Sequence, residues 1–149
     1  MNHLVIYSKK LFNKDYITPM LNGERKLGVK FRMNKAIPYG RLKDGDHLYL
    51  KESSGPIRGR VRVNQVVNKE LGDPEKVMEF LSKHAEEIGI TNEAQLMDVW
   101  RHHASRRYLS YWRIEEPETI KYPVFIQKTD RRAWVIGYEP SEEVAAAFL

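Results

Sequence analysis

From Ile57 to Val63 the chain alternates without a break: Ile57, Gly59, Val61 and Val63 stand at odd positions, Arg58, Arg60 and Arg62 between them. A strand sends successive side chains to opposite faces, whereas a helix would scatter these arginines around its axis. The segment is therefore a half-buried β-strand with three guanidiniums on one face. Upstream, His47 to Glu52 carries Leu48 and Leu50 at the same period. The intervening Ser53, Ser54, Gly55 and Pro56 supply turn chemistry, so the two strands form a hairpin running on to Val67.

The rest of the chain arranges itself around that hairpin. Leu4 to Tyr7 reads as a short buried strand. Lys9 to Asn22 has helix-compatible apolar spacing (Leu11, Phe12, Tyr16, Ile17, Met20, Leu21), with Pro19 dividing it or restarting it near Thr18. Gly23 follows as a helix-terminating glycine. Lys26 to Arg32 is a second strand, Asn34 to Asp46 a loop, and Asp44, Gly45 and Asp46 a tight turn. Asp73 and Pro74 open a helix with Val77, Phe80, Leu81, His84 and Ile88 on one face, ended by Gly89. Thr91 caps a second helix, with Leu96, Met97, Trp100 and Ala104 as its stripe. Strands are expected at Tyr108–Ile114, at Tyr122–Ile126 after Pro117, and at Arg132–Tyr138. Ser141 to Leu149 is a short alanine-rich helix or a frayed tail. The order is that of an α+β domain over residues 1–140, with 141–149 as a tail.

Charge separates along the chain. Through Val63 there are 14 lysines and arginines against 5 acids; the remaining residues hold 11 against 15. A cationic face of this kind suits a phosphate-bearing partner. The 149 residues include no cysteine, which excludes disulfides, thiolate metal sites and a cysteine nucleophile. No run of about 20 apolar residues exists to cross a bilayer, and the N-terminal apolar run is too short for a secretory leader. The expected setting is the cytoplasm, with no membrane partner.

The Arg58, Arg60 and Arg62 face can follow a phosphate backbone as a linear ridge, or be a solvated face whose arginines pair with acids. Lys9, Lys10, Arg25, Lys26 and Lys30 flank the first helical region and would converge on one anion if that helix crosses the mouth of the sheet. Arg101, His102, His103, Arg106 and Arg107 form a second basic cluster. Adjacent histidines do not share a helix face, so no metal site is expected there, and cations at a helix C-terminus answer its dipole. No phosphate-binding loop, metalloprotease helix or nucleophile elbow occurs. Lys51, Glu52 and Ser53 are the weak catalytic candidates, as a lysine, an acid and a hydroxyl near one turn.

Four stretches resemble the ASCH family of the PUA-like superfamily: the N-terminal strand followed by Lys9 and Lys10; Leu21 to Lys26; Gly45 to Lys51; and Asp130 to Val135. The spacing from Gly23 to Pro38, Tyr39 and Gly40 is similar as well. The resemblance implies a small PUA-like β-barrel with an N-terminal helix across one end, two inserted helices, and a cleft between the first helix and the sheet. The family is associated with RNA binding; some members hydrolyse 4-acetylcytidine and others are described as ribonucleases. This chain departs from the hydrolase pattern: Arg25 stands at the family lysine, Lys26 at the threonine, Gly28 at the following acid or hydroxyl position and Lys30 at the arginine. Arginine stays protonated near neutral pH and is no general base.

These features lead to the expectation of a non-catalytic binder of RNA, single-stranded nucleic acid or a nucleotide-like small ligand, needing no metal and no cofactor. Its contacts would be Lys9, Arg25, Lys26, Lys30, Lys51, Arg58, Arg60 and Arg62, with Tyr39 and Trp134 for base stacking. The alternatives are a hydrolase of a modified nucleoside or a ribonuclease using Lys51, Glu52 and Ser53, and a protein-interaction module anchored by Trp100 and Trp112.

Overall fold

The computed structural model describes residues 1–10, 12, 14–127 and 132–149. Six strands form one mixed sheet: β1 (Asn2–Tyr7), β2 (Leu27–Arg32), β3 (His47–Glu52), β4 (Ile57–Glu70), β5 (Tyr108–Val124) and β6 (Trp134–Ile136), in the spatial order β2-β5-β4-β3-β1-β6. The sheet curls into a half-barrel. β1 and β3 are parallel, Asn2 opposite His47 through Tyr7 opposite Glu52. Every other pairing is antiparallel.

Among the described residues, four helices, α1 (Thr18–Leu21), α2 (Pro74–Ile88), α3 (Glu93–His103) and α4 (Glu142–Ala146), cover the sheet. Val5, Leu48, Leu50, Val61, Val63, Trp112 and Trp134 fill the inside of the curl, closed by Ile17 and Met20 from the α1 region and by Leu42. Outside it, Leu27, Phe31 and Leu109 pack under Val77, Phe80 and Leu81 of α2. A third cluster joins Leu4, Tyr49, Ile57 and Val124 to Val144 and Ala147 around α4.

Two glycines set these packings. Gly28 lies directly opposite Trp112, and a Cβ there would stand 2.1 Å from the indole nitrogen. Gly59 carries the side chain of Leu21, 2.5 Å from where its Cβ would be, and so seats α1 on the sheet. Buried His3 holds the opposite edge: its Nδ1 accepts the Gly137 N–H at 3.2 Å, which leaves Nε2 to donate to Asp46 Oδ2 at 2.7 Å.

Several expectations need correction. Among the described residues of the first helical stretch, the α-helix is the restart at Thr18; Leu11 and Asn13 lie outside them. The Asp15 carboxylate accepts the N–H groups of Ile17 and Thr18 at 2.9 and 3.2 Å, starting the helix there with Pro19 in its first turn. The cap of α3 is Asn92, not Thr91; Thr91 instead donates its N–H and hydroxyl to Gln95 Oε1, each at 2.8 Å. The two strands expected on either side of Pro117 are one strand, β5. Arg62 pairs with Glu115 and Arg60 with Glu118, and Glu116 has φ +48°. Pro117 thus sits in a bulge, where no ladder N–H is required of it. The final strand is shorter than expected, and Ser141 caps α4 through an accepted bond from Val144 N–H.

Candidate anion-binding cleft

β2 positions the site. Leu27, Val29 and Phe31 face the α2 side, so Gly28, Lys30 and Arg32 face the inside of the curl, opposite Trp112, Ser110 and Tyr108. Just before β2, Arg25 donates through Nε to the Leu27 carbonyl at 2.9 Å. Its guanidinium lies close enough to the Tyr7 and Tyr16 phenols to interact with both. Burial pushes the Arg25 pKa down, and the two phenols oppose that shift. Lys14 hangs 5.7 Å from the Tyr16 ring centre. Its pKa also falls, through burial first and the Arg25 charge second.

Further along β2, Lys30 is held below the usual lysine range by burial and by the charges of Arg32 and Arg106. Arg32 donates through Nε to the Ile37 carbonyl at 2.8 Å, which ties it to the loop before β3. The His103 ring stacks on Phe31 at 4.5 Å, and its buried Nδ1 has no hydrogen-bond partner among the described residues. Burial pushes its pKa to about 3, helped by His102, Arg106 and Lys30. Phe12 meets His102 edge-on at 5.9 Å, joining the β1–α1 loop to the end of α3.

The half-buried cations divide into two sets. Arg58 meets Glu52 at 2.8 Å and Asp15 at 3.4 Å, Arg60 meets Glu118 at 2.9 Å, Arg62 meets Glu116 at 3.5 Å, and Arg113 meets Glu87. Lys14, Arg25, Lys30, Arg32 and Arg106 are also half-buried, yet none has a carboxylate within ion-pairing distance among the described residues. Burying a cation without a counter-charge is costly, and desolvated groups crowded by like charge are typical of binding sites.

The expected contact residues therefore fall in different places. Arg25 and Lys30 belong to the cleft: Arg25 stands two residues before β2, and Lys30 lies within β2 on the inner side of the curl. Lys26 is exposed beside Arg25, and exposed Lys9 lies 3.8 Å from Glu52. Arg58, Arg60 and Arg62 do share the polar face of β4, in a row charge-balanced by acids of β3, β5 and the β1–α1 loop. Tyr39 packs edge-on against Tyr108 at 5.5 Å, near the Arg32 end. Trp134 is buried, edge-on to Trp112 at 5.6 Å in the inner core. Trp112 is equally buried, and Trp100 donates from its indole to the Pro74 carbonyl at 2.9 Å.

Lys51 and Glu52 point to opposite faces of β3. Lys51 is buried and donates to the Glu52 carbonyl at 2.9 Å, while the Glu52 carboxylate is engaged by Arg58. Ser53 is exposed in the turn. Asp130 and Arg131, part of the last stretch resembling ASCH proteins, lie outside the described residues. A pocket of about 250 Å³ opens beside Arg25, between Met20, Gly23 and Lys26 on one side and Arg113 to Pro117 on the other; Glu115 and Glu116 give it mixed charge. Among the described residues, no three histidines or carboxylates gather into a metal site, and no helix is long and apolar enough to cross a membrane.

Lys14, Arg32 and the two phenols escaped the sequence reading, and His103 and Arg106, read there as a separate basic cluster at a helix end, lie beside Lys30. A signal for Arg32 was present: with Lys30 it alternates with Val29 and Phe31 as the arginines of β4 alternate with valine.

No family model matches the chain, and no curated protein matches its sequence. Solved structures do match its architecture. The ASCH protein of Zymomonas mobilis superposes with a TM-score of 0.62 at 9% identity, covering 98% of this chain and 92% of that one. A serine-to-alanine mutant of ZmASCH from the same organism gives 0.55 at 10% identity over 83% of this chain and 72% of that one. A tyrosine-to-phenylalanine mutant gives the same TM-score and identity, over 83% and 74%. At such identity the likeness concerns architecture: a curled mixed sheet with helices over its faces, spanning nearly the whole chain, is the ASCH-type fold, and this chain has it.

Proposed function

We propose that this protein binds RNA or another single-stranded nucleic acid through the cleft along β2, by phosphate contact and without turnover. The observation that carries the proposal is the partition of half-buried cations. Those on β4 are neutralised by carboxylates, whereas Lys14, Arg25, Lys30, Arg32 and Arg106 have none within ion-pairing distance among the described residues. A phosphate oxygen supplies the missing charge, and a guanidinium can meet two such oxygens at once. Tyr7 and Tyr16 at one end and Tyr39 and Tyr108 at the other place aromatic surface beside the charge, the combination that holds single strands.

Binding without catalysis is supported by the separation of Lys51 from the Glu52 carboxylate and by an arginine where the ASCH hydrolase pattern has lysine. The test is fluorescence anisotropy with labelled single-stranded RNA and DNA across a salt series. Two phosphate contacts on a single strand give a log–log salt slope near −1.4, or about a sevenfold loss of affinity from about 50 to about 200 mM salt. Affinity unmoved by salt would refute phosphate contact as the basis of binding.

A further inference from the structure

We propose that two separate phosphate subsites lie along β2, one just before it at Lys14 and Arg25 and one at Lys30, Arg32 and Arg106, and that the ligand is a single strand long enough to occupy both. This rests on the nucleic-acid reading above and adds the minimum length of the ligand.

The two groups are anchored at different places. Arg25 precedes β2 and bonds the Leu27 carbonyl, with Lys14 over the Tyr16 ring nearby, whereas Lys30 lies further along β2 beside Arg32, which bonds the Ile37 carbonyl. The charges that lower Lys14 and Lys30 divide the same way. The Arg25 guanidinium is held at the Leu27 carbonyl, three residues from Lys30 in extended chain, about 10 Å at the rise of a strand. One phosphate is too small to bridge that distance, whereas the phosphates of a strand of about two to four nucleotides can, depending on how far it is stretched.

The second subsite has its own mark of an absent partner. His103 Nδ1 is buried with no partner among the described residues, and such atoms are rare enough in folded proteins to call for a ligand or a functional reason. An anion among Lys30, Arg32 and Arg106 brings an acceptor into the neighbourhood of that ring. Between the subsites Gly28 offers no side chain, and its place is taken by the Trp112 indole. The middle of the track is thus uncharged, and the positive charge sits at its ends.

The experiment is calorimetric titration of the full chain at low salt with uridine monophosphate and oligouridylates of two, four, six and eight nucleotides. The same series is run on Arg25→Gln and on Lys30→Gln/Arg106→Gln, with circular dichroism to confirm folding. Two subsites predict a step of at least about tenfold in affinity between the monophosphate and the hexanucleotide, since the second contact becomes intramolecular. Either variant should abolish the step while leaving weak, length-independent binding at the remaining subsite. Equal affinity per site from the monophosphate to the octamer would overturn the two-subsite proposal and leave nucleic-acid binding standing. No binding at any length would overturn both.

Discussion

Gly28→Ala tests the packing that shapes the cleft, and its sign is diagnostic. In a strand, replacing glycine by alanine ordinarily stabilises by roughly 0.5–1 kcal/mol, because the unfolded chain has less freedom to lose. Here the new methyl would meet Trp112 at 2.1, 2.2 and 2.6 Å from Nε1, Cε2 and Cζ2. Carbon contacts prefer about 3.5–4.0 Å, so the overlap exceeds an ångström. The indole has little room to retreat: it is 2% exposed and lies edge-on to buried Trp134. Overpacking of this kind costs about 1–3 kcal/mol, and the upper end is expected because the clash is with a ring. At about 2–4 °C per kcal/mol for a chain of this size, Tm should fall by roughly 6–12 °C. Urea unfolding followed by tryptophan fluorescence reads the change as a lower midpoint at unchanged slope. A variant as stable as the parent, or more so, would refute the packing of Trp112 over Gly28.

Other residues give independent checks. Asp15→Asn should cost about 1 kcal/mol by weakening the hydrogen-bonded turn that leads into α1. Asp15 is held at about 2, where burial is outweighed by hydrogen bonds from Thr18 and Ile17 and by Arg58; its folded value lies below its unfolded one, so the stability it adds is complete above about pH 4 and lost as pH falls toward 2, and an acid titration of Tm should show that loss flattened in the variant. His103, lowered to about 3, has the opposite charge logic: between about pH 6.5 and 3 the unfolded chain binds a proton the folded one refuses, so stability drops with falling pH by up to about 1.4 kcal/mol per unit, and His103→Phe should remove that slope in urea midpoints measured from pH 7 to 4. Gly59→Ala, 2.5 Å from Leu21 and 2.6 Å from the Glu118 carbonyl oxygen, should lift α1 from the sheet and expose the α1 region to proteolysis faster than the parent.

Local chemistry made most elements legible. The alternation around Arg58, the Asp73–Pro74 helix start and the Gly89 stop each act within a few residues, and all three appear as expected. What the chain did not disclose depends on distant partners. Whether Arg60 and Arg62 belong to an open ridge or a balanced row turns on Glu118 and Glu116, more than 50 residues away and brought alongside only through the bulges of β5, while Arg58 meets Glu52 across the hairpin and Asp15 from the β1–α1 loop. The continuity of β5 through Pro117 has the same origin. Arg25 and Lys30 were recognisable as basic residues near a helix end. That neither has an ion-pairing carboxylate among the described residues, and that Lys14, Arg32, Arg106 and His103 keep them company, emerges only when the β1–α1 loop and the end of α3 fold over β2.

The central claim is that phosphate goes to the cleft along β2 and not to the arginine row of β4. Its most direct measurement compares two triple variants, Arg25→Gln/Lys30→Gln/Arg106→Gln and Arg58→Ala/Arg60→Ala/Arg62→Ala, by anisotropy with the same labelled single-stranded RNA at one low salt concentration, after circular dichroism has shown both to be folded. The account predicts that the first loses at least about a hundredfold in affinity, from three charge-assisted contacts of at least about 1 kcal/mol each, and that the second binds within about threefold of the parent. Loss of binding in the β4 variant with retention in the β2 variant would contradict it.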